Sequence, residues 1–281
     1  MGSMVYLNGE ILDVTEAQVA VTNPGLLHGV GLFETLRSYA GRPFRLDEHL
    51  ARMRSSADKL NMPLGNVLER VPEALGMVLQ ANELTEARIR FTVTPPGAHD
   101  PEGETTLLVA AEKIVGYPPE LYEKGMTVFI CTNYRQSAQD PLAGHKTLSY
   151  LPRLIALRDA QNRHCGEALW FTSENLLAEG CISNVFLVKG GRLRTPPLDT
   201  PVLPGVTRAA VLELARENGI DVEQDRLTID DLLDADEVFL TNAIMEIMPV
   251  TRVELRAIGN EQPGPITHKL AEAYRRLSQP A

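Results

Sequence analysis

Polar and apolar residues alternate through Arg88–Thr94 (RIRFTVT), the pattern of a strand with one buried face. Leu32–Tyr39 (LFETLRSY) reads as another strand, turned by Gly41-Arg42-Pro43, and Met4–Leu12 as a third, turned by Asn8-Gly9. Leu46, Leu50, Met53, Ala57 and Leu60 recur at steps of four and three. That spacing predicts an amphipathic helix with Asp47 as N-cap and Pro63 just past its end. A second helix is expected over Val67–Ala81, and an apolar strand over Thr105–Glu112.

The pattern restarts after Gly116-Tyr117-Pro118-Pro119. MTVFICT reads as a strand from Met126, NYRQSAQDPLAG as a loop, and Lys146–Asn162 as a helix. Hairpins are expected for Ala168–Thr172 with Leu176–Glu179, and for Asn184–Lys189 with Arg192–Thr195 over Gly190-Gly191. A helix over Pro204–Asn218 closes on Gly219 as C-cap, followed by a short helix Thr228–Leu233 and a strand Glu237–Thr241. Ile258–Ile266 is turn-rich and precedes a closing helix. The pattern implies an α/β chain of α+β type in two domains. A smaller one spans 4–118, residues 119–145 start the second domain and link the two, and a larger β-rich one spans 146–281.

Composition narrows the partners. The 281 residues carry a formal net charge of −10, which argues against a nucleic-acid binder. No run approaches the roughly 18 apolar residues of a membrane span, and no basic leader precedes an apolar stretch. Cytoplasm is therefore the expected location. Met1-Gly2-Ser3 reads as a cloning remnant before a natural start at Met4. Cys131, Cys165 and Cys181 are far apart and should be reduced, packed thiols. With His28, His49, His99, His145, His164 and His268 they show no ligand spacing, so no metal site is expected.

Candidate chemistry starts from GHKTLSYL, where Lys146 heads a small and apolar run and no charge follows until Arg153. It is either a lysine at a helix start in water or an amine held in a site as a nucleophile. LPGVTRAAVLELA opens a periodic helix whose free N–H groups at Val206 and Thr207 suit a phosphate; taken alone it reads first as a well-capped helix. Glu179 interrupts an apolar hairpin in LLAEGCISNVFLV, needing a positive or protonated partner if buried, or facing water in a turn. Arg52 in HLARMR is a phosphate anchor or a solvated helix charge.

In that order, with GVGLFETLR and TNAIMEIMPV, these segments resemble the class IV, fold type IV pyridoxal-phosphate enzymes. That group holds branched-chain aminotransferases, D-amino-acid transaminases and aminodeoxychorismate lyases. The resemblance runs from Val5 to Pro249. It implies pyridoxal 5′-phosphate (PLP) as cofactor, a Schiff base on Lys146, Glu179 at the pyridine nitrogen, and a homodimer. Arg52, Gly205, Val206 and Thr207 match the phosphate anchors, Leu203 the residue packed on the ring, and Asn242 with Ala243 the second phosphate-side loop. Ala243 lacks the hydroxyl often found there, and Tyr150, placed at the ring oxygen, stands one position closer to the lysine than in branched-chain enzymes.

For the substrate, Arg88 and Arg90 share one strand face and can hold carboxylates, or form a solvent-facing strand side. Phe33, Glu34 and Arg37 belong to the same pocket wall by resemblance, although Phe33 fits a core equally. The implied reaction is amino transfer between a branched-chain-like L-amino acid and a 2-oxo acid. The alternative is an aminodeoxychorismate lyase forming 4-aminobenzoate and pyruvate, favoured by TNAIMEIMPV and Thr147. A D-amino-acid transaminase comes next, disfavoured by Pro95-Pro96-Gly97 where an R-x-H pair is typical. A cofactor binder without catalysis is the remaining class.

Overall fold

The computed structural model describes residues 3–97 and 103–279; Met1, Gly2 and His99 lie outside them. The chain divides into two units. The first runs to Val115 and takes in His145–Ser149; the second holds Gly116–Gly144 and Tyr150–Ser278. The lysine segment thus groups with the first unit instead of opening the second.

In the first unit the elements are β1 (Met4–Leu7), β2 (Glu10–Asp13), α1 (Pro24–His28), β3 (Leu32–Tyr39), β4 (Arg42–Pro43), α2 (Leu46–Lys59), α3 (Val71–Ala81), β5 (Ala87–Thr94) and β6 (Thr106–Lys113). They form an antiparallel sheet of order β2-β1-β6-β5-β3-β4. Leu36, Ile89, Phe91 and Val109 from the strands pack on Met53, Val71, Leu75 and Val78 from the helices. The side chains of Arg88, Arg90 and Thr92 point away from that core, as the period of two requires. Asp47 is not the cap of α2. The chain enters from Arg45 in the left-handed region, φ 52°, with no side-chain cap, and Asp47 lies in the first turn beside the positive helix end.

The second unit holds α4 (Pro119–Lys124), β7 (Met126–Gln136), α5 (Leu151–Asn162), β8 (Glu167–Thr172), β9 (Leu177–Gly180), β10 (Asn184–Lys189), β11 (Arg192–Thr195), α6 (Val206–Glu217), β12 (Val222–Gln224), α7 (Ile229–Leu233), β13 (Glu237–Asn242), β14 (Glu246–Val253), β15 (Arg256–Ala257) and α8 (Pro265–Ser278). Its sheet has the order β12-β11-β10-β13-β14-β7-β8-β9, with β15 on β14. β7 pairs in parallel with β14 at its start and with β8 further along, and the β8 pairing carries it on to Arg135 and Gln136, past an irregularity between Ile130 and Arg135, where the sequence predicts a loop.

Two further boundaries move for local reasons. The helix expected from Lys146 begins only at Leu151, with Pro152 in its first turn. Upstream, the Lys146 carbonyl accepts from Phe33 N–H at 3.0 Å, and Leu148 N–H donates to Gly31 at 2.9 Å, so the backbone is committed to β3. Helix α6 begins at Val206, beyond Pro204, and Gly219 sits one residue past the cap Asn218 with φ +69°. Cys131, Cys165 and Cys181 are buried free thiols.

Candidate active site

In the first unit, the lysine segment is laid along the start of β3 by those backbone bonds and by close packing. A Cβ on Gly31 would stand 2.7 Å from both Leu148 Cδ1 and the Val93 carbonyl. Only glycine allows that approach. Lys146 is half-buried, and its Nζ lies 4.4 Å from the centre of the Phe33 ring. The Arg90 guanidinium lies 3.7 Å from the same ring centre, its Nε donating to Thr92 Oγ1 at 3.3 Å. An amine and a guanidinium thus share one buried aromatic ring. Arg37 and Arg88 each pair with a carboxylate of their own unit, Glu86 at 3.2 Å and Glu112 at 2.5 Å.

Behind this face lies a buried ionic cluster. Strand alternation turns Glu34 to the opposite side from Phe33 and Arg37, so it faces α2 and not the pocket wall where the resemblance put it. Its oxygens accept from Arg52 Nε at 2.8 Å and Nη2 at 2.5 Å, and His49 Nδ1 lies 2.8 Å away. Burial alone would raise the Glu34 carboxyl; the Arg52 charge and the His49 hydrogen bond overcome it and bring it down to about 2. Burial pushes His49 below its usual value. Arg52 therefore commits one edge of its guanidinium to a protein carboxylate. His145 Nδ1 meets Ser56 Oγ at 2.9 Å.

In the second unit, Glu179 is buried and surrounded by donors. Oε1 accepts from Arg153 Nη2 at 2.6 Å and Gln136 Nε2 at 2.9 Å. Oε2 accepts from the Leu203 N–H at 2.9 Å and Asn184 Nδ2 at 3.4 Å. Arg153 is one positive partner of this buried carboxylate. Asn184 also donates to the Leu203 carbonyl at 2.9 Å, and a Cβ on Gly205 would stand 2.0 Å from Asn184 Oδ1. The Leu-Pro-Gly approach to α6 is thus clamped to the Glu179 hairpin.

Helix α6 starts after Gly205 with no side-chain cap and no acidic residue in its first turn, and Thr207 is buried there. Its first N–H groups and partial positive charge suit an anion. Asn242 Oδ1 accepts from Ile244 and Met245 N–H at 2.8 Å, and its Nδ2 donates to Ile182, so it shapes the turn that carries Ala243. Tyr150 donates to the Cys181 carbonyl at 3.2 Å, and burial pushes its hydroxyl up to about 12.

The polar groups left open here, an acceptor and a hydroxyl, fit PLP. The Gln136 Oε1 beside Glu179 and the Thr241 hydroxyl before Asn242 are buried without a hydrogen-bond partner among the described residues. Arg153, Gln136 and Asn184 around Glu179, and Glu34 with His49 around Arg52, are the residues whose roles sequence reasoning missed. The one signal for Arg153 was its isolation as the first charge after Lys146.

The sequence model of the family described as Amino-transferase class IV matches residues 31–253. A Methanocaldococcus jannaschii protein, provisionally named a branched-chain-amino-acid aminotransferase, is 37% identical over 277 residues, covering 96% of this chain and 95% of that protein. The aminodeoxychorismate lyase of Bacillus subtilis is 30% identical over 280 residues, covering 97% and 94%. Among solved structures, a T.th. branched-chain amino acid aminotransferase with pyridoxamine 5′-phosphate superposes with a TM-score of 0.92 at 29% identity, covering 99% of this chain and 95% of that one.

Proposed function

Since the chain belongs to the class IV aminotransferase family, we propose that it is a PLP-dependent enzyme moving the amino group of a branched-chain-like L-amino acid to a 2-oxo acid. The observation that carries the reading is the Phe33 ring shared by Lys146 and Arg90. It supports an amine nucleophile, a carboxylate anchor and an apolar wall in one place.

When bound, PLP supplies an aldehyde that joins amines and a ring that takes up the electron pair left at the substrate Cα. Lys146 would hold that aldehyde carbon, then, released by substrate, carry the proton to and from Cα. Glu179 would hold the ring nitrogen and Leu203 would pack on the ring. The Val206 and Thr207 amides, Gly205, the Thr207 hydroxyl, Arg52 and the Asn242-Ala243 turn would hold the phosphate. Tyr150 would stand at the ring oxygen. Arg90 would take the substrate carboxylate, with Phe33, Arg37 and Arg88 around it.

The lyase reading is second. Its substrate is a dicarboxylate, and Arg37 and Arg88 stand opposite each other on β3 and β5, paired with exposed Glu86 and Glu112 through bridges weak enough to exchange for a second carboxylate. Exposed Leu151, Leu154 and Ile155 follow helical spacing on α5 and support a homodimer.

The test is a single-turnover assay on the PLP-loaded protein. L-Leucine should convert the cofactor to pyridoxamine phosphate with release of the 2-oxo acid, and Lys146→Ala should slow this by at least about 10³-fold. No conversion with any L-amino acid, together with pyruvate release from aminodeoxychorismate, overturns the reading in favour of the lyase. Conversion by D-alanine alone would make the enzyme D-specific.

A further inference from the structure

Arg153, near the start of α5, does more than neutralise a carboxylate. Its Nη2 donates to Glu179 Oε1 at 2.6 Å while Nη1 reaches the Gly180 and Cys181 carbonyls at 3.2 and 3.1 Å. The guanidinium carbon lies 5.2 Å from the centre of the Trp170 ring and 5.8 Å from that of Tyr150. The three contacts and two rings leave the guanidinium little freedom. Its charge falls on one carboxylate oxygen only, since Oε2 is met by the neutral donors Leu203 N–H and Asn184.

We propose that Arg153 is a positioning residue acting through Glu179: it turns the Oε2 edge toward the cofactor ring nitrogen and keeps that nitrogen less protonated than an unpaired carboxylate would. This rests on the reading that Glu179 receives the ring nitrogen. A carboxylate favours a protonated pyridine because the charges attract. A guanidinium on the far oxygen draws on the same negative charge and repels the added proton, so the proton stays more with solvent. A less protonated ring draws the Cα electron pair less strongly. Arg153 thereby sets the strength of the electron sink.

The neighbouring titratable groups do not supply this charge. Burial pushes Tyr150 up to about 12 and the Glu167 carboxyl up to about 6, and it raises the Cys181 thiol. Burial works against the charge of Arg153 itself, but Glu179 beside it more than restores it.

The experiment uses protein loaded with PLP carrying ¹⁵N at the ring nitrogen and reads the ¹⁵N resonance of the bound cofactor. Arg153→Met should move the resonance toward the protonated-pyridine position. Arg153→Lys, which keeps a charge, should stay near wild type. Gln136→Leu, which removes a neutral donor from the same oxygen, should stay there too. If Arg153→Met does not fold, Arg153→Gln, polar but uncharged, must give the same shift. An unmoved resonance in the uncharged variants, or an equal shift in Gln136→Leu, overturns the role of Arg153 and leaves the aminotransferase reading standing. Wild-type protein that takes up no PLP overturns both.

Discussion

Glu34 in the first unit and Glu167 in the second are both fully buried carboxylates, and they are held in opposite ways. Glu34 meets a two-pronged arginine and a histidine. Glu167 meets only neutral donors: the N–H groups of Ala168, Cys181 and Ile182 and the Ser183 hydroxyl, at 3.0–3.4 Å. With similar numbers of hydrogen bonds, one carboxyl is brought down to about 2 and the other raised by burial to about 6. Countercharge, not the number of hydrogen bonds, separates them.

The largest effect that tests this contrast is Glu34→Gln. It strands Arg52 without its buried carboxylate and should cost about 3–5 kcal/mol in urea unfolding at pH 7. Glu167→Gln removes no countercharge, so it should change stability by no more than about 1 kcal/mol at that pH. Equal losses in the two variants would break the comparison.

The pH dependences should have opposite signs. Glu34 lies below its unfolded value of 4.5, so its contribution of about 3 kcal/mol is present above pH 4.5 and lost as pH falls through about 2. Glu167 lies above 4.5, so its contribution, about 2 kcal/mol, is present below pH 4.5 and lost as pH rises through about 6. Unfolding series from pH 7 to pH 4 should lose the second component in Glu167→Gln, and acid titrations the first in Glu34→Gln. The smallest effect is the control. Thr228→Ala removes the capping box of α7, remote in sequence from both carboxylates, and should cost about 1 kcal/mol with both pH components intact.

Much of the fold is legible wherever local patterning and final packing agree. β3, β10 and β11 fall on the predicted bounds because their patterns and turn glycines are local. The lysine segment was misread as helix because its partner, β3, lies more than a hundred residues upstream. β14 was missed because its apolar run, IMPV, has no alternation to mark a strand. Motif resemblance singles out Lys146 and Glu179 as candidates. It did not reach the Arg153–Glu179 pair, which joins a helix to a hairpin across 26 positions, or Glu34 behind Arg52. Such pairings belong to tertiary contacts and leave no periodic trace.

The five residues His145–Ser149 belong to a unit whose strands end by Lys113. A fragment cut at Val115 would keep all six strands of its sheet yet lose the segment bridged to Leu32 through Thr147, and Lys146 with it. Neither half can be produced as a continuous polypeptide, and any graft of one unit onto another scaffold has to carry this short insert along.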